Sequence, residues 1–374
     1  MLKIIRIIFR SKNRGNKCAL AFLVASILLP LNVVATVTFV DSFSLSRQDT
    51  IPRGIAFNTD GTKMFVVGGR GDEVNEYTLT TGFDVSTASY SQRLSVNAQD
   101  NDPSGIAFTA DGTKMFVTGM TGKEVNEYTL TTGFDVSTAS FVDAFALAKG
   151  EIPRGVGFNT DGTKMFIVDP DDDEVVEYAL ITGFDVSTAS YSQKISVAAQ
   201  DDIPRSIAFN TDGTKMFIPG DRGNDVNEYT LTTGFDVTTA SLDGSFSIAD
   251  EEKSPSGIAF NTDGAKMFII GQIGDSVYEY TLTTGFEVVD VSSPTVTFNP
   301  VNSATGVSAG SNITITLDEP VRNTDDTVLT DANVDSLITL KDTNSSGSDI
   351  AFDATIDSDK QVITINPTSD FSSE

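Results

Sequence analysis

Three arginines hold the chemically most suggestive positions in this chain. Arg53, Arg154 and Arg205 each follow a proline (Pro52, Pro153, Pro204), and Ser104 and Ser256 fill the same place after Pro103 and Pro255. Guanidinium groups gathered at one place can hold an anionic group through paired N–H donors, or a sugar hydroxyl. The competing reading spends each on a nearby acid, Asp49, Glu151 or Asp202. A second candidate is the acidic run Asp169 to Glu174, where Asp169, Asp171 and Asp173 offer hard oxygens suited to Ca²⁺. That run lacks the Gly-spaced aspartates of an EF-hand loop, and a solvated acidic loop has the same composition. No other cofactor is expected.

The missing residue types narrow the chemistry further. There is no His and no Trp, and the single Cys is Cys18. Catalysis with a His base, zinc held by His or Cys, and disulfide bonds in the mature chain are all excluded. The formal net charge is -27. Six of the 25 basic residues lie in the first 17 positions; without them 19 remain against 52 acidic residues, a net charge of -33. Such a surface repels phosphate backbones, so nucleic acid is not an expected partner.

That basic start reads as part of an export signal. Lys17 ends the basic stretch, an apolar run follows from Cys18 to Leu29, and Val33 and Ala35 are small enough to precede a signal peptidase cut. Residues 1–35 are therefore expected to be removed, with cleavage near Ala35. The run is short for a membrane span and is broken at Pro30, so no transmembrane span is expected in the mature chain. Cys18 precedes the apolar run and is not placed to carry a lipid anchor.

The elements that must position the arginines belong to a repeat. Ile55-Ala56-Phe57-Asn58-Thr59-Asp60-Gly61-Thr62-Lys63-Met64-Phe65 recurs four more times with small changes. Its turn glycines, Gly61, Gly112, Gly162, Gly213 and Gly264, are spaced 51, 50, 51 and 51 apart. A fixed period near 50 points to propeller blades or solenoid coils. Each unit reads as four short strands, in the first unit Gly54 to Asn58, Lys63 to Val67, Val74 to Leu79 and Tyr90 to Val96. The second is an unbroken apolar run, suited to burial on both faces. Asp60 and its equivalents Asp111, Asp161, Asp212 and Asp263 form tight turns in which Gly supplies the positive φ. No stretch here carries a helical period. Each unit presents about six large apolar side chains, worth roughly 1.5–3 kcal/mol each when buried, which can offset chain entropy without disulfides.

The ends of the array suggest a circle. The fifth unit departs from the pattern at Glu287 and lacks a fourth strand, whereas a fourth-strand-like segment, Thr38 to Ser46, stands alone before the first unit. The expectation is an all-β chain whose residues 36–290 form a five-bladed β-propeller closed by its N-terminal strand, which removes exposed edges. Strand direction then puts the near-constant turns on one face. The varied loops lie on the other, around the channel mouth where Arg53, Ser104, Arg154, Arg205 and Ser256 should gather and where a ligand is expected. Drift at solvated loops explains the same variation.

Pro52-Arg53-Gly54-Ile55-Ala56-Phe57, Asp60 through Val66 and the Val-x-Glu-Tyr strand resemble bacterial β-propeller repeats of the YVTN and related families, over about residues 38–288. From 291 the composition shifts to Ser, Thr, Asn and Asp. Alternating strands are expected at Asn312–Leu317, Leu337–Leu340, Ile350–Ile356 and Gln361–Ile365, as a β-sandwich. Ala304-Thr305-Gly306-Val307, Asn312 through Val321 and Ile363-Thr364-Ile365-Asn366-Pro367 resemble the bacterial Ig-like domain named after the S-layer protein SbsA. The resemblance implies a further strand beyond the last motif, so residues 291–374 are expected to be an incomplete Ig-like domain of a longer surface protein.

Fold resemblance does not settle activity, because propellers host many functions. The first reading is a secreted or cell-surface, non-enzymatic binding or adhesion protein, with the propeller as recognition platform for an extracellular glycan or protein and the Ig-like domain as spacer. Near-identical blades would add avidity. The alternatives are a structural component of the cell envelope and a carboxylate-dependent glycosidase. The latter needs two carboxyls in different environments across one bond, and five near-copies make most acids equivalent.

Overall fold

The computed structural model describes residues 5–11, 20–24, 37–148, 152–201, 203–289, 296–301, 311–317, 329–341, 348–358 and 360–368. Two compact units result: Ala35–Val289, and Asp290–Glu374 together with Met1–Val34.

The first unit contains five four-stranded antiparallel sheets. In the first, Pro52–Phe57, Lys63–Gly68, Glu73–Leu79 and Ala88–Ser95 pair in chain order. The same order holds in the next three. The fifth takes its outer strand from the start of the chain: Val37–Ser44 pairs with Ser276–Leu282, with Val277 opposite Phe43 and Glu279 opposite Asp41. The strands expected from the repeat are present, with ends shifted by one or two residues. In the fourth sheet the first strand shrinks to Ala208–Phe209. There Pro219 occupies a place where Val168, in the third sheet, donates its N–H to Gly155, and a proline has no N–H to give.

Burial on both faces of the second strand explains its composition. Met64 and Val66 pack with Phe268, Ile270 and Val277 of the fifth sheet. Phe65 and Val67 face the other way, onto Ile106, Met115 and Val117 of the second sheet. The same exchange joins second to third, third to fourth and fourth to fifth sheets. Innermost strands approach closely where glycine follows the Pro-X pair. A Cβ on Gly54 would lie 2.8 Å from the Ser104 carbonyl, one on Gly105 2.4 Å from the Arg154 carbonyl, and one on Gly257 2.6 Å from the Arg53 carbonyl.

One face is built of repeated turns. Asp60 accepts from the Thr62 N–H (3.0 Å) and Oγ1 (2.6 Å), and these hydrogen bonds hold its carboxyl below the usual range. Gly61 sits at φ 71°, where a Cβ would lie 2.2 Å from the Phe83 ring. Phe83 itself adopts φ 58°, stacks on Phe268 and meets Phe57 at a tilt of 45°. A short 3₁₀ turn, Val85–Thr87, follows, capped by Asp84.

A latch joins each sheet to the next. Glu76, 1% exposed, pairs with Lys63 of its own sheet at 2.8 Å and accepts the Val136 N–H of the second sheet at 3.2 Å. Lys63 also donates to the Phe134 carbonyl at 2.6 Å. Glu127 with Lys114 and Glu279 with Lys266 repeat the arrangement. Glu228 pairs with Lys215 and accepts the N–H groups of Val288 and Val289 (2.7 and 2.8 Å), so the chain stays latched after its fourth strand is lost.

In the second unit, Val296–Asn299, Ile313–Leu317, Val362–Pro367 and Phe352–Ile356 form one antiparallel sheet in that order. Its core holds Ile313, Ile315, Leu317, Leu329, Val334, Leu340, Ile363 and Ile365. A single helical turn, Asp331–Val334, was not expected from the sequence. It begins with a capping box between Thr330 and Asn333, and Asp331 and Asp335 accept the N–H groups of Ile356 and Ala354. Ile338–Lys341 pairs in parallel with Ile5–Ser11, which pairs with Leu20–Val24. Of the expected export signal, the cleavage position, Cys18 and Pro30 lie outside the described residues. No helix among the described residues is long and apolar enough to cross a membrane.

Candidate functional site

The varied-loop face gathers the five Pro-X positions, but it uses them differently. Ser104 is 2% exposed, and its hydroxyl donates to the Pro153 carbonyl of the third sheet at 2.7 Å. Ser256, 5% exposed, donates to the Pro52 carbonyl of the first sheet at 2.8 Å. Both hydroxyls are thus engaged in joining sheets. Arg53 makes the equivalent bond, from Nη1 to the Pro103 carbonyl at 3.1 Å, and also forms an ion pair with Asp102. Gly69 leaves room for that guanidinium, since a Cβ there would lie 2.6 Å from Arg53 Cζ. Arg205 pairs with Asp221 of its own sheet.

For Arg53 the partner is Asp102, not the expected Asp49. Asp49 does not take Arg53; it accepts the Ile51 N–H at 2.6 Å, and burial pushes its carboxyl above the usual range. Glu151 and Asp202 lie outside the described residues. Asp102 was missed because it comes from the loop of the next sheet, and Asp221 because the hairpin register that sets Pro204 opposite Gly220, and so Arg205 beside Asp221, was not traced.

Arg154 stands apart. Among the described residues no carboxylate pairs with it, and its Nε is buried without a partner, as are those of Arg53 and Arg205. Its backbone N–H is fixed to the Val168 carbonyl at 2.9 Å. Its proton affinity is lowered, to about 10, first by burial and then by the like charges of Arg205 and Arg53. It remains a cation at neutral pH.

Asp169 is 1% exposed and accepts the Asp171 N–H at 3.1 Å. Asp173 has φ 54° and gives its carbonyl to the Val197 N–H. Among the described residues no three carboxylates gather as metal ligands would. Asp169 also fits a structural pattern of the repeat. Elsewhere an acid three residues before the proline clamps the two loops together: Asp100 accepts from Asp102 and Gly122, Asp201 from Ile203 and Gly223, Glu252 from Ser254 and Gly274. Each packs on a glycine ending the second strand, where a Cβ would lie 2.3 Å from Asp100, 2.0 Å from Asp201 and 2.1 Å from Glu252. In the third unit the two residue types are exchanged in the sequence: Gly150 stands in the acid's place and Asp169 in the glycine's.

Comparison with known proteins bears mainly on the second unit. Residues 290–374 match the family described as a bacterial Ig-like domain. No curated protein matches the chain. Among solved structures, it resembles a putative 6-phosphogluconolactonase from Bacteroides uniformis at 12% identity, over 63% of this chain and 68% of that one, with a TM-score of 0.42. It also resembles a luciferin-regenerating enzyme at 13% identity, over 68% and 99%, with a TM-score of 0.43. A periplasmic gluconolactonase from Pseudomonas aeruginosa shares 14% identity over 75% and 92%, with a TM-score of 0.40. Likeness this distant carries no information about activity.

Proposed function

We propose that residues 36–290 form a closed five-bladed propeller serving as the recognition platform of an exported, surface-displayed binding protein, with the Ig-like domain as its spacer. The observation that carries the reading is the contrast between the faces. Turns on one side are near-copies fixed by Asp60-type and Phe83-type contacts. The other side presents unequal loops around three arginines, one without a counter-charge among the described residues. A removable signal over residues 1–35 and a bacterial Ig-like domain, a module of surface proteins, fit that placement.

A glycan array probed with the purified chain tests the reading. Reproducible binding, weakened by substitutions in the varied loops and not in the constant turns, is the expected result. A blank array would favour a structural role in the envelope. Hydrolysis of a polysaccharide would favour the glycosidase.

A further inference from the structure

We infer that Asp263-Gly264 is a site of spontaneous isoaspartate formation, the most reactive of the five Asp-Gly turns. All five aspartates are exposed, and each is followed by a glycine: Gly61, Gly112, Gly162, Gly213 and Gly264. The reaction needs only the chain and water. The Gly264 nitrogen attacks Cγ of the neutral Asp263 carboxyl. A C–N bond forms, a C–O bond breaks, and the N–H proton leaves with the hydroxyl as water. Water then opens the five-membered succinimide. Opening at Cγ restores aspartate. Opening at the main-chain carbonyl leaves the backbone running through the side chain, with the α-carboxylate free. Glycine favours the attack because it has no Cβ to crowd the nitrogen.

What separates the five turns is how firmly each carboxyl is held. Asp60, Asp161 and Asp212 each accept, on Oδ1, the N–H and the hydroxyl of the threonine two residues on; the hydroxyl bond is 2.6 Å in all three. Asn58, Asn159 and Asn210 steady those hydroxyls with their side-chain amides. Asp111 has a third donor, the Thr109 hydroxyl at 2.7 Å, besides Thr113. In the fifth turn Ala265 stands in the threonine's place. Its N–H reaches Asp263 Oδ1 at 3.0 Å, and it has no hydroxyl to give. Hydroxyl donors hold a carboxylate ionised and fixed, so Asp263 is the carboxyl freest to become neutral and turn toward its glycine. The attacking side is alike throughout: every glycine N–H donates to the carbonyl three residues back, at 2.8 to 3.1 Å.

The fifth turn also sits where a change would be felt. It joins Pro255–Phe260 to Lys266–Gly271 in the sheet that receives the N-terminal strand. Gly264 has φ 74°, and a Cβ there would lie 2.2 Å from the Phe286 ring, so an extra main-chain carbon has to displace that ring.

The test holds the folded full chain warm for several weeks at mildly acidic pH and quantifies isoaspartate in each turn by tryptic peptide mapping. The five turns fall in five different tryptic peptides, so four serve as internal controls. Asp263 should convert about tenfold faster than Asp60, Asp161 and Asp212, the low end of what one hydrogen bond to a charged group contributes, and Asp111 should be slowest. Ala265→Thr, which restores the residue of the other units, should bring Asp263 down to their rate. Thr62→Ala should raise Asp60 by a similar factor. Equal rates in all five turns, or a rate at Asp263 unchanged by Ala265→Thr, overturns the inference. So does a folded chain that converts nowhere while the urea-unfolded chain converts at all five.

Discussion

The Val85 N–H donates to Glu279 Oε2 at 3.0 Å, although 194 residues separate them in the chain. Glu279 belongs to the fifth sheet and Val85 to the first. Lys266, paired with Glu279 at 2.6 Å, donates to the Phe83 carbonyl beside it at 2.6 Å. The bond between last and first sheets is therefore the same bond that joins Glu76 to Val136 and Glu127 to Val186. A repeat that meets its own beginning with the contact it uses internally needs no special cap.

Breaking this latch should be costly in a specific way. Glu279→Leu leaves the Lys266 ammonium and the Val85 N–H without their partner, and unpairing one member of a buried ion pair costs about 3–5 kcal/mol. Lys266 is 27% exposed at its side chain, which places the expected loss at the low end. Adding Lys266→Met should recover part of it, because a neutral pair of similar volume removes the orphaned charge. Urea melts of the two variants and the parent measure both effects.

The exchange in the third unit yields a double-mutant cycle. Asp169→Gly should destabilise by about 1–3 kcal/mol, the cost of leaving loop N–H groups unsatisfied. Gly150→Asp alone, which leaves two acids where each other unit has one acid and one glycine in its sequence, should also destabilise. The double variant, which restores the pattern of the other units, should regain most of the stability. Additive losses in thermal melts would show that the positions do not couple. Added Ca²⁺ should leave the melting temperature unchanged.

Alkali should unfold the first unit. Burial raises the phenols of Tyr77, Tyr128, Tyr229 and Tyr280, and pushes Tyr278 up to about 12. A group whose pKa is higher folded than unfolded contributes stability that is intact below its unfolded pKa, near 10 for tyrosine, and lost as the pH rises through the folded value. Stability should stay level through neutral pH and decline above about 10. Tyrosinate absorbance from the buried rings should appear together with loss of structure, not before it.

Much of this architecture is readable from the residues. Lys63 to Val67 announces a doubly buried strand because an apolar run of that length has no exposed face to spare. The orphan strand before the first unit and the missing one after the fifth announce their pairing. The latch was readable too and was missed: Lys63 and Glu76 stand 13 residues apart, and the same interval separates Lys114 from Glu127 and Lys266 from Glu279. The exchange of Gly150 and Asp169 also shows when the units are aligned. Asp102 could not be found this way, because it reaches Arg53 from the neighbouring sheet, whereas Asp221 follows from the hairpin register that sets Pro204 opposite Gly220. The Thr330 capping box precedes a helix of only one turn, too short to leave a periodic signal.

Deleting residues 36–47 tests ring closure most directly. If the N-terminal strand closes the ring, the truncated protein melts well below the parent, in one transition sensed equally in all five sheets. Losing Val37–Ser44 uncovers Tyr278 and Tyr280, removes Phe43 from its contact with Tyr77, and frees the joint between fifth and first sheets. A truncated protein that melts like the parent, or one that loosens only in the fifth sheet, would contradict it.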